Sequence, residues 1–262
     1  MKHNAKVLGL PAVMMVLTLA FPICLANSSS VAAQDPTVDV DGVWGIPEEG
    51  TDKQGANCDR WATGPEGTPS AISDTDPSIQ NKAKNDENQF RYGAKDTDYD
   101  PPPCLLFAEQ SGFGFKGVDG TSMPTDGTPF RLGTFTHYNT VTNIDLSDYN
   151  PLENIGLTIT LSGSVNALLK CHITLDETPN DDDPCMFPDA PNDPPCGERV
   201  MIAAQPLLTS IIPIQGKQYI VEILGFTDCD APGTPTKIFY THEKAADKAC
   251  LYARLVELQD GP

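Results

Sequence analysis

The sequence predicts an all-β protein, a two-layer antiparallel β-sandwich of jelly-roll-like form with long loops. Three observations predict it. Apolar residues recur at every second position in many short runs. Turn formers separate those runs, with 21 glycines and 24 prolines among 262 residues. No long stretch carries the 3.6-residue periodicity of a helix.

Taken in order, Val38, Val40, Val43 and Trp44 form a short alternation that predicts a first strand within 34–45. From Ile46 to Gln89 the chain is rich in Gly, Pro, Asp, Asn and Thr, and reads as loop. So long a loop is unusual in a compact domain, so short strands or a functional excursion are expected inside it. Phe90-Arg91-Tyr92, Cys104 to Phe107 and Gly112 to Lys116 read as short strands. Thr128 to Asn139 (TPFRLGTFTHYN) is a denser one, with Phe130 and Leu132 on one face and Arg131 and Gly133 on the other. Ile155, Leu157, Ile159 and Leu161 alternate with small polar residues. The turn Ser162-Gly163-Ser164 then leads into Val165 to Leu175, which predicts an antiparallel hairpin. Residues 176–198 read as an acidic, proline-rich loop insertion. Strands follow at Arg199 to Ala203, Thr209 to Ile214, Lys217 to Phe226 and Ile238 to Thr241. Lys244 to Leu258 carries two patterns: alanines that favour a helix, and the alternation Leu251, Ala253, Leu255. A short helical or turn segment to about Lys248 and then a final strand is the expectation.

The N-terminus has the form of an export signal. Lys2 and Lys6 precede an apolar run from Val7 to Ala26, and Val31-Ala32-Ala33 is a small-residue cleavage site. Residues 1–33 are therefore read as a signal peptide and 34–262 as a single secreted domain, with no integral membrane span in the mature chain. Cys24 follows the bulky Ile23, which argues against lipoprotein processing. Removing Lys2 and Lys6 leaves 15 basic residues against 36 acidic ones, a formal charge of −21. Such a chain repels phosphate backbones, which argues against nucleic acid as a partner.

Seven cysteines remain after the signal. In an exported chain they read as disulfide partners: Cys58, Cys104, Cys185, Cys196, Cys229 and Cys250. Cys171 sits inside an alternating strand and is the expected free thiol. A Cys185–Cys196 bridge is predicted to fasten the acidic loop, which has too few apolar residues to hold itself. Calcium is the competing fastener, through Asp181 and Asp183, although their spacing is not that of a known calcium loop. No other cofactor is expected.

Several pieces in order resemble the bacterial choice-of-anchor K domain. They are the Trp44 region, S-G-F-G-F-K-G from Ser111, and F-R-L-G-T-F-T-H-Y-N from Phe130. E-T-P-N from Glu177, C-G-E-R-V from Cys196, L-G-F from Leu224, and T-H-E with L-Y-A-R-L between Thr241 and Leu255 complete the set. The resemblance spans most of the mature chain. The family comprises exported domains found ahead of different surface-sorting tails, so it implies an extracellular or cell-surface location and says little about chemistry. No sorting tail follows Leu258, which makes secretion or non-covalent surface attachment the expectation.

Within these motifs His137, Asn139, Glu177, Asn180 and Glu243 are the candidate binding residues. His137 and Asn139 share a strand face. They read either as a ligand or metal site or as a buried polar pair that fixes register, and the structural reading ranks first. No nucleophile elbow, phosphate loop or dinucleotide fingerprint is present, and no residue is assigned a catalytic role. Glu177 and Glu243 are available as a glycosidase pair, but in so acidic a chain some pair always is. Trp44, Trp61, Tyr92, Tyr99 and Tyr138 offer a sugar-stacking platform, with burial in the core as the stronger reading. The sequence thus points to a non-enzymatic secreted or surface module with a binding or structural role. A carbohydrate-binding or adhesion module and a hydrolase are its rivals. Its partner would be an extracellular ligand such as a glycan or a surface protein.

Overall fold

Alternation becomes strand along nearly every predicted run. Thr37–Trp44 (β1) buries every second residue, Val38, Val40, Gly42 and Trp44, and turns Val43 outward rather than into the core. The computed structural model describes residues 34–44, 60–62, 87–92, 110–140, 152–176, 178, 185–187, 196–204 and 210–259. The signal segment, Cys58, Cys104 to Phe107, Tyr99, Glu177, Asn180, Asp181 and Asp183 lie outside them, as do the readings that rest on those residues.

The remaining strands are Arg60–Ala62 (β2), Asn88–Tyr92 (β3), Ser111–Gly117 (β4), Thr121–Ser122 (β5), Phe130–Tyr138 (β6) and Leu152–Gly163 (β7). Ala167–Asp176 (β8), Glu198–Ala204 (β9), Ile212–Ile214 (β10), Lys217–Thr227 (β11), Ile238–Thr241 (β12) and Ala246–Leu258 (β13) complete the set. The described residues contain no helix, and none of their segments is a helix long and apolar enough to cross a membrane. Residues 35–262 form one compact unit, and 1–34 fall in another.

Two antiparallel sheets pack as a sandwich. The first has the order β12-β9-β8-β7-β1-β5 and the second β10-β11-β13-β6-β4-β3-β2. β7 and β8 form the predicted hairpin. At one side the β1 edge turns toward the second sheet, where Val40 N donates to Val118 O at 2.8 Å. The layers meet on aromatic rings: Trp44 on Phe113 at 5.7 Å, Phe113 on Phe135 at 5.6 Å, Phe135 on Phe226 at 5.0 Å and Phe226 on Phe239 at 5.7 Å. Fully buried aromatics dominate such a core, and truncating one costs about 3–5 kcal/mol.

One expectation is corrected. No helical segment occupies Lys244 to Lys248. Glu243 and Lys244 form a tight turn, with Lys244 at φ 57°, and β13 begins at Ala246. The alanines that suggest a helix are instead small partners for large neighbours, Ala249 opposite Phe135 and Ala253 opposite Phe130. Packing across the sheet overrides helix propensity. β6 also carries a bulge. Leu251 pairs with Gly133 and Tyr252 with Arg131, so Leu132 is an extra residue in the ladder. The bulge reverses which positions face the core. Phe130 and Leu132 are buried before it, and Phe135 and His137 point to the opposite sheet after it.

Candidate functional site

The last residues of β6 divide between two faces, and each face carries a buried polar cluster. On the core face, the His137 ring stacks on Phe113 with centroids 5.1 Å apart. Its Nδ1 shares a 2.9 Å hydrogen bond with the Thr241 hydroxyl, and its Nε2 lies 3.4 Å from Glu198 Oε2. Thr241 and Glu198 are directly paired on β12 and β9, so one histidine of the second sheet meets two strands of the first, hydrogen-bonded to Thr241 and lying against Glu198 without a hydrogen bond. Burial, and then the charge of Arg91, push the His137 imidazole down to about 3. It is neutral at pH 7.

Hydroxyl, imidazole and carboxylate stand here in the order of a nucleophile, its base and an orienting acid. Thr241 and His137 are 0% exposed and Glu198 1% exposed, however. That leaves the hydroxyl no surface to present to a substrate, and the trio works as a bridge between layers.

Asn139 follows His137 on the same side. Its backbone N–H donates to Ala245 O at 2.8 Å, which clamps the turn between β12 and β13 against β6. Its side chain is different. The residue is 1% exposed, yet neither Nδ2 nor Oδ1 has a hydrogen-bond partner. Glu243 stands beside it on the turn, and its buried Oε2 is also unpartnered. Burial pushes the Glu243 carboxyl above the usual range, opposed by the nearby Asn139 amide and by Lys244. The Asn139 amide and this carboxyl are thus close without the alignment of a hydrogen bond.

The outer face carries Glu87, Gln89, Arg91, Thr136 and Tyr138, all buried. Thr136 Oγ1 donates to Glu87 Oε1 at 2.7 Å and Tyr138 Oη to Glu87 Oε2 at 2.6 Å. Gln89 Nε2 donates to Tyr138 Oη at 3.2 Å. Arg91 donates to Gln89 Oε1 from Nε at 3.1 Å and Nη2 at 2.9 Å, and to Gln110 O from Nη1 at 2.9 Å. Its guanidinium also lies 3.4 Å over the Tyr138 ring. Burial lowers the Arg91 pKa to about 10, which leaves it charged at neutral pH. The glycines of the GFGFK run make room for this network. A Cβ on Gly114 would come 2.2 Å from Glu87 Oε2, and one on Gly112 would come 2.8 Å from the Arg91 side chain.

Register places both clusters at one end of the sandwich. Tyr138 pairs with Gly112 and Ala246, Ser111 with Tyr92, Arg91 with Arg60, Asp176 with Arg199 and Trp44 with Leu157. The chain therefore leaves and re-enters the strands at this end at 45–59, 93–109, 141–151 and 177–197. Cys185 and Cys196 are joined by a disulfide two residues before Glu198, and Thr178 Oγ1 donates to Cys196 O at 3.1 Å. Asp176 and Arg199 make an ion pair beside them. A second disulfide joins Cys229 and Cys250. Cys171 is a free, buried thiol, pushed up to about 12 by burial, which keeps it protonated.

Of the predicted binding residues, the structure brings His137, Asn139 and Glu243 to one place. Glu177 and Asn180 are outside the described residues. Trp44, Tyr92 and Tyr138 are buried, so these three do not form an exposed stacking platform. Among the described residues no group of three His, Cys, Asp or Glu side chains is arranged to hold a metal ion. The sequence reading missed Glu198 and Thr241. Glu198 had a signal, since it shares parity with the buried Val200 and Ile202. The outer network had none, because Asn88–Tyr92 is buried on both faces and shows no alternation.

No family model matches the chain, and no curated protein matches it.

Proposed function

We propose that this chain is exported and acts in the extracellular space as a non-enzymatic β-sandwich module, in the manner the resemblance to choice-of-anchor K domains implies. Its work is binding, or forming part of a surface structure. The observation that carries this reading is the convergence of many strand ends at one end of the sandwich. The layers are joined there by the His137–Thr241 hydrogen bond, and the Cys185–Cys196 disulfide lies just ahead of β9. A rigid scaffold presenting variable loops is the usual design of a recognition module. The disulfides fit an oxidising compartment.

The test is expression of the full chain from its own N-terminus in a bacterial host, followed by fractionation, intact mass and a non-reducing peptide map. The expected result is protein in the medium or on the cell surface, beginning at Gln34, with the cystines formed. Reduced cytoplasmic protein that retains Met1 would overturn the proposal.

A further inference from the structure

The outer face of the first sheet concentrates exposed apolar side chains. Five large hydrophobic residues are exposed among the described residues: Val43, Leu168, Met186, Ile211 and Ile238. Val43, Leu168 and Ile238 stand on this face, on β1, β8 and β12. Ile211 adjoins it, since Ser210 N donates to Leu168 O and Leu168 N donates to Ser210 Oγ. Val43 and Leu168 are each 47% exposed and Ile211 57%. Exposed apolar groups scattered singly are ordinary, but their gathering on one face marks an interaction surface. Register orders the face in rows. One row reads Val43, Thr158, Lys170 across β1, β7 and β8, and the next reads Asp41, Thr160, Leu168. Gly42, Ile159 and Leu169 between them are buried, so both rows point outward.

We infer that two copies of this chain pair through this face, about a two-fold axis running along β7. Rotation about that axis lays β1 of each copy over β8 of the other. Asp41 and Val43 of one copy then meet Lys170 and Leu168 of the other, and the same quartet forms on the far side of the axis. A two-fold interface must be self-complementary, and this face is so in both charge and polarity. β1 brings an acid and an apolar group, and β8 brings a base and an apolar group. Thr158 and Thr160 lie on the axis, where short side chains let the sheets approach to about the 10 Å of stacked sheets. The Asp41 carboxylate is fixed in place, its Oδ1 accepting from Gly42 N at 2.8 Å and from Asn88 Nδ2 at 3.1 Å. Lys170 is exposed and makes no ion pair among the described residues. Two chains of formal charge −19 repel at long range. Physiological salt screens that repulsion beyond about 8 Å, and the facing Asp41 and Lys170 groups come closer than this.

The pairing does not depend on export, so it can be tested apart from the extracellular role. Sedimentation velocity is run on the folded, disulfide-bonded chain at about 0.15 M salt over a wide range of protein concentration. The expected result is a concentration-dependent shift from monomer to dimer, with no larger species. Lys170→Glu sets like charges against each other and Leu168→Asp removes the apolar contact, and each should weaken the dimer about tenfold or more. Exchanging the charges, with Asp41→Lys and Lys170→Glu in one chain, should restore it. Lys170→Glu and Leu168→Asp change only exposed side chains of β8, and they keep the test decisive if the Asp41 change disturbs Asn88. A monomer at every concentration would overturn the inference and leave the face to a different partner. A dimer indifferent to both β8 variants, or an exchanged-charge variant that folds and stays monomeric, would overturn it too.

Discussion

Thr136 and Tyr138 point to one side of β6, His137 and Asn139 to the other, and the two sides handle buried polarity differently. On the outer side both oxygens of Glu87 accept hydroxyls, and Arg91 is held by Gln89, Gln110 and the Tyr138 ring. On the inner side His137 is held by a hydrogen bond to Thr241 alone, its Nε2 lies 3.4 Å from Glu198 Oε2 without a hydrogen bond, and the atoms of the Asn139 amide and one oxygen of Glu243 also lack aligned hydrogen bonds. A paired network stabilises what it touches, and removing one member exposes the rest to the full desolvation cost. A group without an aligned hydrogen bond contributes no such stability.

The largest effect is expected at Glu87. Glu87→Ala strands two hydroxyls among buried groups and should cost about 3–5 kcal/mol in denaturant unfolding. A loss within experimental error would mean that the outer network is not structural.

Next is the fastening of the acidic segment. Replacing Cys185 and Cys196 by serine removes a bridge of sequence separation 11 and should lower stability by about 3 kcal/mol. A non-reducing peptide map must first show the pair linked. A stability unchanged in the double variant would assign the fastening to other contacts.

His137→Ala should cost about 1–3 kcal/mol by orphaning the Thr241 hydroxyl. It also has a pH signature. The folded imidazole is held down at about 3, below its unfolded value near 6.5. The unfolded chain therefore binds the extra proton between these values. Stability contributed by neutral His137 is full above about pH 6.5 and declines toward pH 3, with a slope near 1.4 kcal/mol per pH unit for one proton. His137→Gln should flatten that part of the profile, and an unchanged slope would show that His137 is not the group being protonated.

The smallest effect is at Cys171. Its thiol is buried and pushed up to about 12, so iodoacetamide at pH 8 should leave it unmodified in the native state and label it on unfolding. Labelling of the native protein would place that thiol at the surface.

Much of the frame was legible from alternation alone. Ile155, Leu157, Ile159 and Leu161 show period two because one face of β7 is dry and the other wet. The same rule failed where it had no contrast to work with. β3 is buried on both faces, so Gln89 and Arg91 gave no hint of lying inward. A bulge at Leu132 moved the inward parity within one strand, and no local pattern announces a bulge. Ala249 and Ala253 imitated a helix because small residues also suit a strand opposite large rings. For the site, strand parity placed His137 and Asn139 together. Thr241 and Glu198, which meet His137, come from the other sheet, and no spacing in the chain encodes that meeting.

The contrast between paired and unpaired polarity is tested most directly by two near-isosteric changes on the same strand, compared by urea unfolding under identical conditions. Tyr138→Phe removes only the hydroxyl that donates to Glu87. It should cost about 1.5–3 kcal/mol, the range for a hydrogen bond to a charged group. Asn139→Leu removes an amide with no side-chain partner and should fall within about 0.5 kcal/mol of the parent or exceed it. An Asn139→Leu loss as large as that of Tyr138→Phe would contradict the account, because it would mean the amide is held as firmly as the outer network.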